Sequence, residues 1–275
     1  MIIVMRGHDF GRMQPADLAA AISNTGFKAT QLAFTKAFPE PAENYMSEEA
    51  LLAIRNAFVQ HGVALPVMGC YISASDRDDA VRQAAKEKFS QCLRASVLLG
   101  AGCVGTETTH FRFDESEREA AYARLLDFTR HVVRVAEECG AIVGIEPVAV
   151  HTLNTPELTR RLLDDVPSDN LRVVLDLANL ITPETVSHEA QADILERCIN
   201  LFADKITVLH IKDGVFSAEG KWLNRPLGEG VMNWPHLLPR LRQVNDNLCA
   251  LREDVWPGNG EKECAIIHRW MEGLT

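Results

Sequence analysis

The sequence lacks a long apolar stretch, a surplus of basic residues and the features of a secretory leader. None of the apolar runs in its 275 residues is long enough to cross a bilayer, so we expect no membrane-spanning segment. The chain begins Met-Ile-Ile-Val-Met-Arg, without a basic flank or a small-residue cleavage site, so we expect no signal peptide. The net charge of −10 argues against a nucleic-acid-binding surface, which favours a clustered basic face.

The sequence also lacks closely spaced cysteines. Its seven cysteines form no Cys-x-x-Cys pair, and their number is odd. Such cysteines are typical small apolar fillers of proteins in a reducing compartment. The content of 47% hydrophobic and 24% charged residues is ordinary for a soluble globular protein. We therefore predict a cytoplasmic protein.

Neither a low-complexity segment nor a linker interrupts the chain, in which short apolar runs alternate with longer amphipathic runs. Helix start signals include Ser47 followed by two glutamates, and Pro156 directly after a threonine. The predicted strands span residues 2–5, 29–34, 64–69, 103–106, 142–146, 172–176, 206–211 and 249–253. The predicted helices span residues 15–24, 47–60, 78–99, 116–139, 156–163, 188–202, 234–243 and 261–271.

Eight strand–helix units in about 250 residues predict an α/β fold of the closed (β/α)8 type, a TIM barrel. We expect residues 1–275 to form this barrel as a single domain. The alternative is an open, doubly wound sheet, which usually has fewer strands and often a glycine-rich first turn. Here the first turn reads Arg-Gly-His-Asp-Phe-Gly-Arg and lacks the Gly-x-Gly-x-x-Gly pattern. The segment 214–233 is predicted to be a loop after the seventh strand.

Four successive predicted strands end in a residue type that binds metals. In a TIM barrel, catalytic residues lie at the carboxyl ends of the strands or in the loops just beyond them. The four residues are 30, 34 and 43 positions apart, about one strand–helix unit each, so all can meet at one rim. They are Glu146, Asp176, His210 and Glu253.

Three carboxylates and one imidazole at one rim predict a bound divalent cation, because like charges at close range oppose joint ionisation. Oxygen-rich ligation with one nitrogen favours Mn²⁺ first, with Mg²⁺, Co²⁺ and Zn²⁺ as alternatives. Considered alone, each of the three carboxylates has a second interpretation, namely a structural ion-pair partner rather than a metal ligand. For His210 the second interpretation is a hydrogen-bonded core residue. Strand alternation alone does not distinguish Glu253 from its neighbours Arg252 and Asp254, since a slip of one residue exchanges inward for outward.

Four motifs occur in a specific order over essentially the whole chain. They are Gly-Ile-Glu-Pro at 144–147, Val-Leu-Asp-Leu-Ala-Asn at 174–179, Leu-His-Ile-Lys-Asp at 209–213 and Arg-Pro-Leu-Gly-Glu-Gly-Val-Met-Asn-Trp at 225–234. With these motifs the sequence resembles the xylose isomerase-like barrel superfamily, in its sugar phosphate isomerase/epimerase branch. The resemblance implies that the four strand-end residues, Glu253 included, ligate one divalent metal ion. It also implies that Glu146 and Glu253 act as opposed acid and base across the substrate carbon. Dimers and tetramers are common in that branch, which makes a homo-oligomer an expectation here.

Five further residues are predicted to contact substrate. Arg225 resembles an arginine that orients substrate oxygens, with a loop-anchoring pair to Glu229 as the alternative. Asn179 stands where ketose epimerases often have the histidine of an Asp-x-x-His motif, and asparagine can hydrogen-bond but cannot titrate. The remaining three lie near the ends of the first, fourth and seventh strands: His8, Glu107 and Lys212.

Other residues at this rim have a less specific role. Cys70 and Tyr71 follow the third strand, and we expect them to form part of the wall of the site. The tryptophans in or beside loops on this side are expected to pack in the core, with shielding of the site from water as the alternative; these are Trp222, Trp234 and Trp256. The basic residues that could contact a substrate phosphate are Arg6, Lys36, Lys212 and Arg225.

The sequence thus predicts a metal-dependent isomerase or epimerase that transfers a proton at a carbon beside a carbonyl of a small sugar or sugar phosphate. One alternative is a dehydratase of keto-inositols or related polyols from the same superfamily. Another is a non-catalytic sugar-binding barrel. The DNA-repair endonuclease branch needs further histidines and carboxylates for a multi-metal cluster, and that full ligand set is not evident. The expected partner is a small carbohydrate, and neither nucleic acid nor a membrane.

Overall fold

Eight parallel strands close into a barrel in the computed structural model, which describes residues 1–254 and 258–274. In the described ranges there are ten strands, of which all but β8 and β9 belong to the barrel. They are β1 (Ile2–Arg6), β2 (Ala29–Leu32), β3 (Ala64–Gly69), β4 (Cys103–Glu107), β5 (Val143–Glu146), β6 (Leu171–Asp176), β7 (Ile206–Ile211), β8 (Asp213–Phe216), β9 (Trp222–Arg225) and β10 (Cys249–Arg252). The barrel order is β1-β10-β7-β6-β5-β4-β3-β2, and β8 and β9 form a separate antiparallel pair. The predicted (β/α)8 barrel is therefore confirmed.

Helices follow the barrel strands along the chain. They are α1 (Pro15–Ser23), α2 (Phe34–Ala37), α3 (Glu48–Gln60), α4 (Asp79–Leu99), α5 (Arg118–Cys139), α6 (Pro156–Asp165), α7 (Leu177–Leu180), α8 (His188–Phe202), α9 (Trp234–Val244) and α10 (Gly260–Met271). The hydroxyls of Ser47 and Thr155 cap α3 and α6 by accepting backbone N–H groups, as their sequence signals predict. None of the helices in the described ranges is long and apolar enough to span a membrane.

The clearest departures from the predicted elements concern the second strand and the segment 214–233. The second strand ends at Leu32 rather than at residue 34, because the chain turns into the short helix α2. The segment 214–233, predicted to be a loop, contains most of the β8–β9 hairpin, in which Gly214 pairs with Asn224. Each of these two strands has only four residues, which is too short for a clear alternation of apolar and polar residues.

Strand alternation inside the barrel brings the candidate metal-ligand residues to one rim. The interior contains Val174, Val208 and Leu251 in one buried apolar cluster. Successive side chains of a strand point to opposite faces, so the residues two positions further on also point inward. Those residues are Asp176, His210 and Glu253.

Gly144 shows why β5 reaches the same rim with a carboxylate. A Cβ atom at this position would lie 2.7 Å from the Cys103 sulfur and 2.9 Å from a methyl carbon of Val174. The interior layer therefore has no room for a side chain at 144, and glycine is required by close packing. Two residues later, Glu146 points inward at the rim.

Arg252 resolves the one-residue ambiguity at the end of β10. Its Nε donates to Glu263 on α10 at 2.7 Å, and both side chains are buried between the barrel and the helix layer. Arg252 thus points outward, and its neighbour Glu253 points into the barrel mouth.

Candidate metal centre and active site

Glu146, Asp176 and His210 form a tight, buried group at the carboxyl end of the barrel. One ligand atom from each lies within 4.8 Å of the others, and among the residues described this is the group of three or more that could hold a metal ion. Asp176 and His210 are direct neighbours in the β6–β7 register. Glu253 joins the group from the other side, with its Oε1 3.7 Å from His210 Nδ1.

The donor set fits a divalent cation. His210 Nδ1 is buried and makes no hydrogen bond to the residues the structure describes. It lies 3.4 Å from Glu146 Oε2 and 3.5 Å from Asp176 Oδ2, so the unpartnered nitrogen faces carboxylate oxygens. A buried polar atom without a partner is costly, and a cation bound to this nitrogen and these oxygens removes that cost. These three residues and Glu253 would therefore hold the ion.

Lys212 and Asn179 lie directly beside the carboxylates. The Lys212 ammonium, also on the inward face after β7, is 2.7 Å from Asp176 Oδ2 and 3.4 Å from Glu253 Oε2. Asn179 donates from Nδ2 to Glu146 Oε1 at 2.6 Å and accepts from Lys212 Nζ at 2.8 Å. Both are predicted to bind substrate, and in this structure their polar atoms contact the candidate metal-ligand residues and each other.

The electrostatic environments of Glu146 and Glu253 differ. Burial raises the pKa of Glu146 to about 8, against the opposing effect of His210. Burial also acts to raise the pKa of Glu253, yet the positive charges of His210 and Lys212 hold it well below its usual range. Burial acts to lower the pKa of His210, but the charges of Glu253 and Glu146 outweigh burial and raise that pKa to about 9.

Metal binding should therefore release protons. With pKa values of about 9 for His210 and about 8 for Glu146, both groups hold a proton at pH 7 in the metal-free protein. Metal ligands must be deprotonated, so protons compete with the cation, and the apparent affinity for Mn²⁺ rises between pH 6 and pH 9. Calorimetric titration in two buffers of different ionisation enthalpy measures the release. An affinity constant across this range, with no released proton, would contradict the prediction.

Replacing Lys212 by methionine should destabilise the metal-free protein. The change removes the ammonium that pairs with two buried carboxylates, and losing one partner of a buried ion pair costs about 3–5 kcal/mol of unfolding free energy. Saturation with Mn²⁺ should reduce the loss, because the cation supplies the missing positive charge. Urea denaturation with and without the metal measures both values, and Lys221→Met on the exposed hairpin is the matched control. An equal loss in both states would show that Lys212 does not neutralise this centre.

Arg6 completes the charge balance around Glu253, a role that the sequence did not indicate. Its guanidinium lies 3.4 Å from Glu253 Oε1, bonds to Asp9 at 2.7 Å and pairs with Asp254. These three carboxylates raise the pKa of Arg6 above its ordinary value despite burial, which acts in the opposite direction. The position of Arg6 at the end of β1 was the available signal, since it stands two residues after the interior residue Val4.

Glu107 and His8 lie at the mouth, whereas Arg225 lies on the exposed hairpin. Glu107 pairs in register with Glu146. Both residues border a small cavity at the barrel mouth, together with Gln31, Tyr71 and His210. His8 packs edge-on against Tyr71 with ring centroids 6.4 Å apart. Arg225 is exposed on β9 and donates to the neighbouring Asn224 carbonyl at 3.0 Å. The structure describes no Arg225–Glu229 pair.

The tryptophans that were predicted to pack in the core or to shield the site lie in different environments. Trp234 is fully buried and donates from its indole N–H to the Lys212 carbonyl at 2.8 Å, so it packs beneath the site. Trp222 packs edge-on against Phe216 within the hairpin, at 5.3 Å between ring centroids. Trp256 lies outside the described residues.

Known structures share this architecture over nearly the whole chain. A D-tagatose 3-epimerase-like protein superposes with a TM-score of 0.81 at 16% identity, covering 99% of this chain and 97% of its own. The probable 3-DHS dehydratase of Bacillus anthracis has a TM-score of 0.72 at 18% identity, covering 99% of each chain. A xylose isomerase-like TIM barrel protein from Mycobacterium smegmatis in complex with magnesium has a TM-score of 0.72 at 16% identity, covering 100% of this chain and 98% of its own. Identities this low establish the fold alone.

Sequence comparison gives the family. No curated protein matches the chain by sequence. The model of the xylose isomerase-like TIM barrel family matches residues 19–272, which include all four metal-ligand candidates. The chain therefore belongs to the xylose isomerase-like TIM barrel family.

Proposed function

We propose that this protein is a divalent-metal-dependent isomerase or epimerase of a small sugar or sugar phosphate, with Mn²⁺ as its metal. One observation carries the proposal: two buried carboxylates, Glu146 and Glu253, approach His210 from strands that are separated by β6 and β7 in the barrel. Carboxylates whose environments push their pKa values apart are typical of acid–base pairs.

The proposed reaction removes a proton from one face of the substrate carbon and delivers another proton to the opposite face. When bound, the cation would polarise the substrate carbonyl and the adjacent hydroxyl, which would lower the cost of removing the proton from the carbon that carries this hydroxyl. One glutamate takes this proton, and the other returns a proton from the opposite side. Lys212 and Asn179 hold the two carboxylates apart and in place through their own hydrogen bonds.

The composition of the mouth supports a polyhydroxylated substrate. Gln31, Tyr71 and Glu107 border the cavity beside Glu146 and His210, and all three offer hydrogen-bonding atoms. The buried Gln31 Oε1 has no hydrogen-bond partner within the described ranges, which leaves it free for a hydroxyl. The epimerase-like neighbour adds support at the level of the fold.

Solvent exchange tests the proposed function. The Mn²⁺-loaded protein is incubated in D₂O with a panel of ketoses, keto-inositols and their phosphates, and deuterium uptake is followed by NMR. Exchange at one carbon without loss of water is the expected result. Exchange followed by loss of water would identify the dehydratase alternative. Tight sugar binding without exchange would identify a non-catalytic sugar-binding barrel.

A further inference from the structure

The structure distinguishes among the four basic residues that the sequence offers for an anionic group of the substrate. Arg6 is paired with three carboxylates, and Lys212 is paired with two. Arg225 is exposed on the hairpin and bonds to its neighbour's carbonyl. The positive charge of a residue such as Arg6 or Lys212 is already neutralised by buried carboxylates, so it contributes little binding free energy toward a further anion. Lys36, on α2 just after β2, is the remaining candidate.

Lys36 lies at the mouth of the site and has no ion-pair partner among the residues that the structure describes. Within residues 1–254 and 258–274, no carboxylate lies inside the 4.0 Å ion-pair distance of its ammonium. The nitrogen lies over the aromatic ring of Tyr71, 3.6 Å from the ring centroid. The side chain therefore follows the surface of the mouth and leaves N–H donors available.

Tyr71 connects Lys36 with the metal centre. The same tyrosine borders the inner cavity beside Glu146 and His210. The Lys36 ammonium lies over the ring of the same tyrosine. A substrate that is bound beside Glu146 and His210 and extends past Tyr71 would therefore meet Lys36.

His8 adds a neutral hydrogen-bonding group on this side. Burial, followed by repulsion from Arg6, lowers the pKa of His8 to about 3, so its imidazole is uncharged at neutral pH. The His8 Nδ1 is buried and has no hydrogen-bond partner in the part of the chain that the structure describes. An ammonium without an ion pair among the described residues and an unpartnered imidazole, both beside one tyrosine, are suited to an oxyanion group.

We propose that Lys36, with His8 and Tyr71, forms a subsite for an oxyanion group at the end of the substrate remote from the reacting carbon. The inference rests on the proposed function, because that function places the reacting carbon at Glu146 and Glu253. It narrows the substrate class to a keto sugar that carries a terminal phosphate or carboxylate. The two anions share the same chemistry here, namely oxygen acceptors with negative charge.

Binding measurements on three matched probes test the subsite. Calorimetry on the Mn²⁺-loaded protein compares D-fructose, D-fructuronate and D-fructose 6-phosphate, which differ in the terminal group. We expect at least one anionic probe to bind roughly 10-fold to 100-fold more tightly than D-fructose, as a charge-assisted hydrogen bond provides. A gain for D-fructose 6-phosphate alone identifies a phosphate, and a gain for D-fructuronate alone identifies a carboxylate.

Variants of Lys36 test whether the higher affinity for an anionic probe comes from this residue. Lys36→Met should reduce the affinity for the anionic probe to that for D-fructose, whereas Lys36→Arg should retain most of the gain. Lys28→Met, exposed at the opposite end of β2, should change nothing. Equal affinities for all three probes, or a gain that persists in Lys36→Met, would overturn the subsite.

The outcomes separate this inference from the proposed function. Solvent exchange with a neutral ketose, together with equal affinities for the three probes, would retain the proton transfer and remove the subsite. Binding of an anionic probe through Lys36 without solvent exchange would retain the subsite and remove the proton transfer.

Discussion

Glu146→Gln and Glu253→Gln should each lower the rate of deuterium exchange into substrate by roughly 10²–10⁴-fold at saturating metal. Glutamine keeps the shape of glutamate and can still hydrogen-bond, but it cannot accept the substrate proton. Both carboxylates are buried at the barrel mouth, so water offers no ready replacement. NMR of the exchanging carbon in D₂O measures the rate.

Two controls separate proton transfer from loss of metal or fold. Glu87→Gln, on the exposed face of α4, should exchange at the wild-type rate. Metal affinity is measured for each variant, because both glutamates also face His210. If either active-site variant exchanges at nearly the wild-type rate, that residue is not part of the acid–base pair.

Mn²⁺ should stabilise the folded protein strongly, and His210→Gln should abolish most of this effect. At about 100 times its dissociation constant, a ligand specific for the folded state adds about 2.7 kcal/mol to the free energy of unfolding. For a chain of this size, that raises the midpoint of thermal unfolding by roughly 5–10 °C. The physical reason is that the cation binds only the folded protein, in which His210 Nδ1 and oxygens of Glu146, Asp176 and Glu253 lie together.

Thermal scans with Mn²⁺ and with a chelator measure the effect. His61→Gln, in an exposed position after α3, should retain the full metal-dependent shift. A chelator should also stop solvent exchange, and readdition of Mn²⁺ should restore it. An identical shift in wild type and His210→Gln would place the stabilising ion elsewhere on the protein.

The fold could be predicted from the sequence because its signals are local. Buried parallel strands are short apolar runs, and glycines such as Gly100 and Gly140 end helices in the left-handed conformation, with φ of 74° and 76°. The β8–β9 hairpin could not be predicted in this way, because its two four-residue strands lie outside the barrel and have no regular pattern of apolar residues.

The positions of the metal-ligand candidates could be predicted for the same reason, but their surroundings could not. Strand ends at successive units converge in any closed barrel, and this brings Glu146, Asp176 and His210 together. The pairing of Lys212 with Asp176 and the bridge through Asn179 depend on side-chain conformations across different strands. Sequence spacing contains no information about such contacts.

Glu253 and Lys36 illustrate the limit in more detail. Alternation could not choose between Glu253 and Arg252, and the structure resolves the choice through the buried Arg252–Glu263 pair behind the barrel. Lys36 was one of four equivalent basic residues in the sequence. It becomes distinct only when the other three have partners in space and Lys36 lies over Tyr71.

Crystallography of the protein grown with Mn²⁺, with data collected near the manganese absorption edge, tests whether the four residues bind a metal. We expect one anomalous peak per chain at the carboxyl end of the barrel, bound by His210 Nδ1 and by carboxylate oxygens of Glu146, Asp176 and Glu253. A chain with no peak at this position, or with manganese bound only at other residues, would show that these residues do not form the metal site.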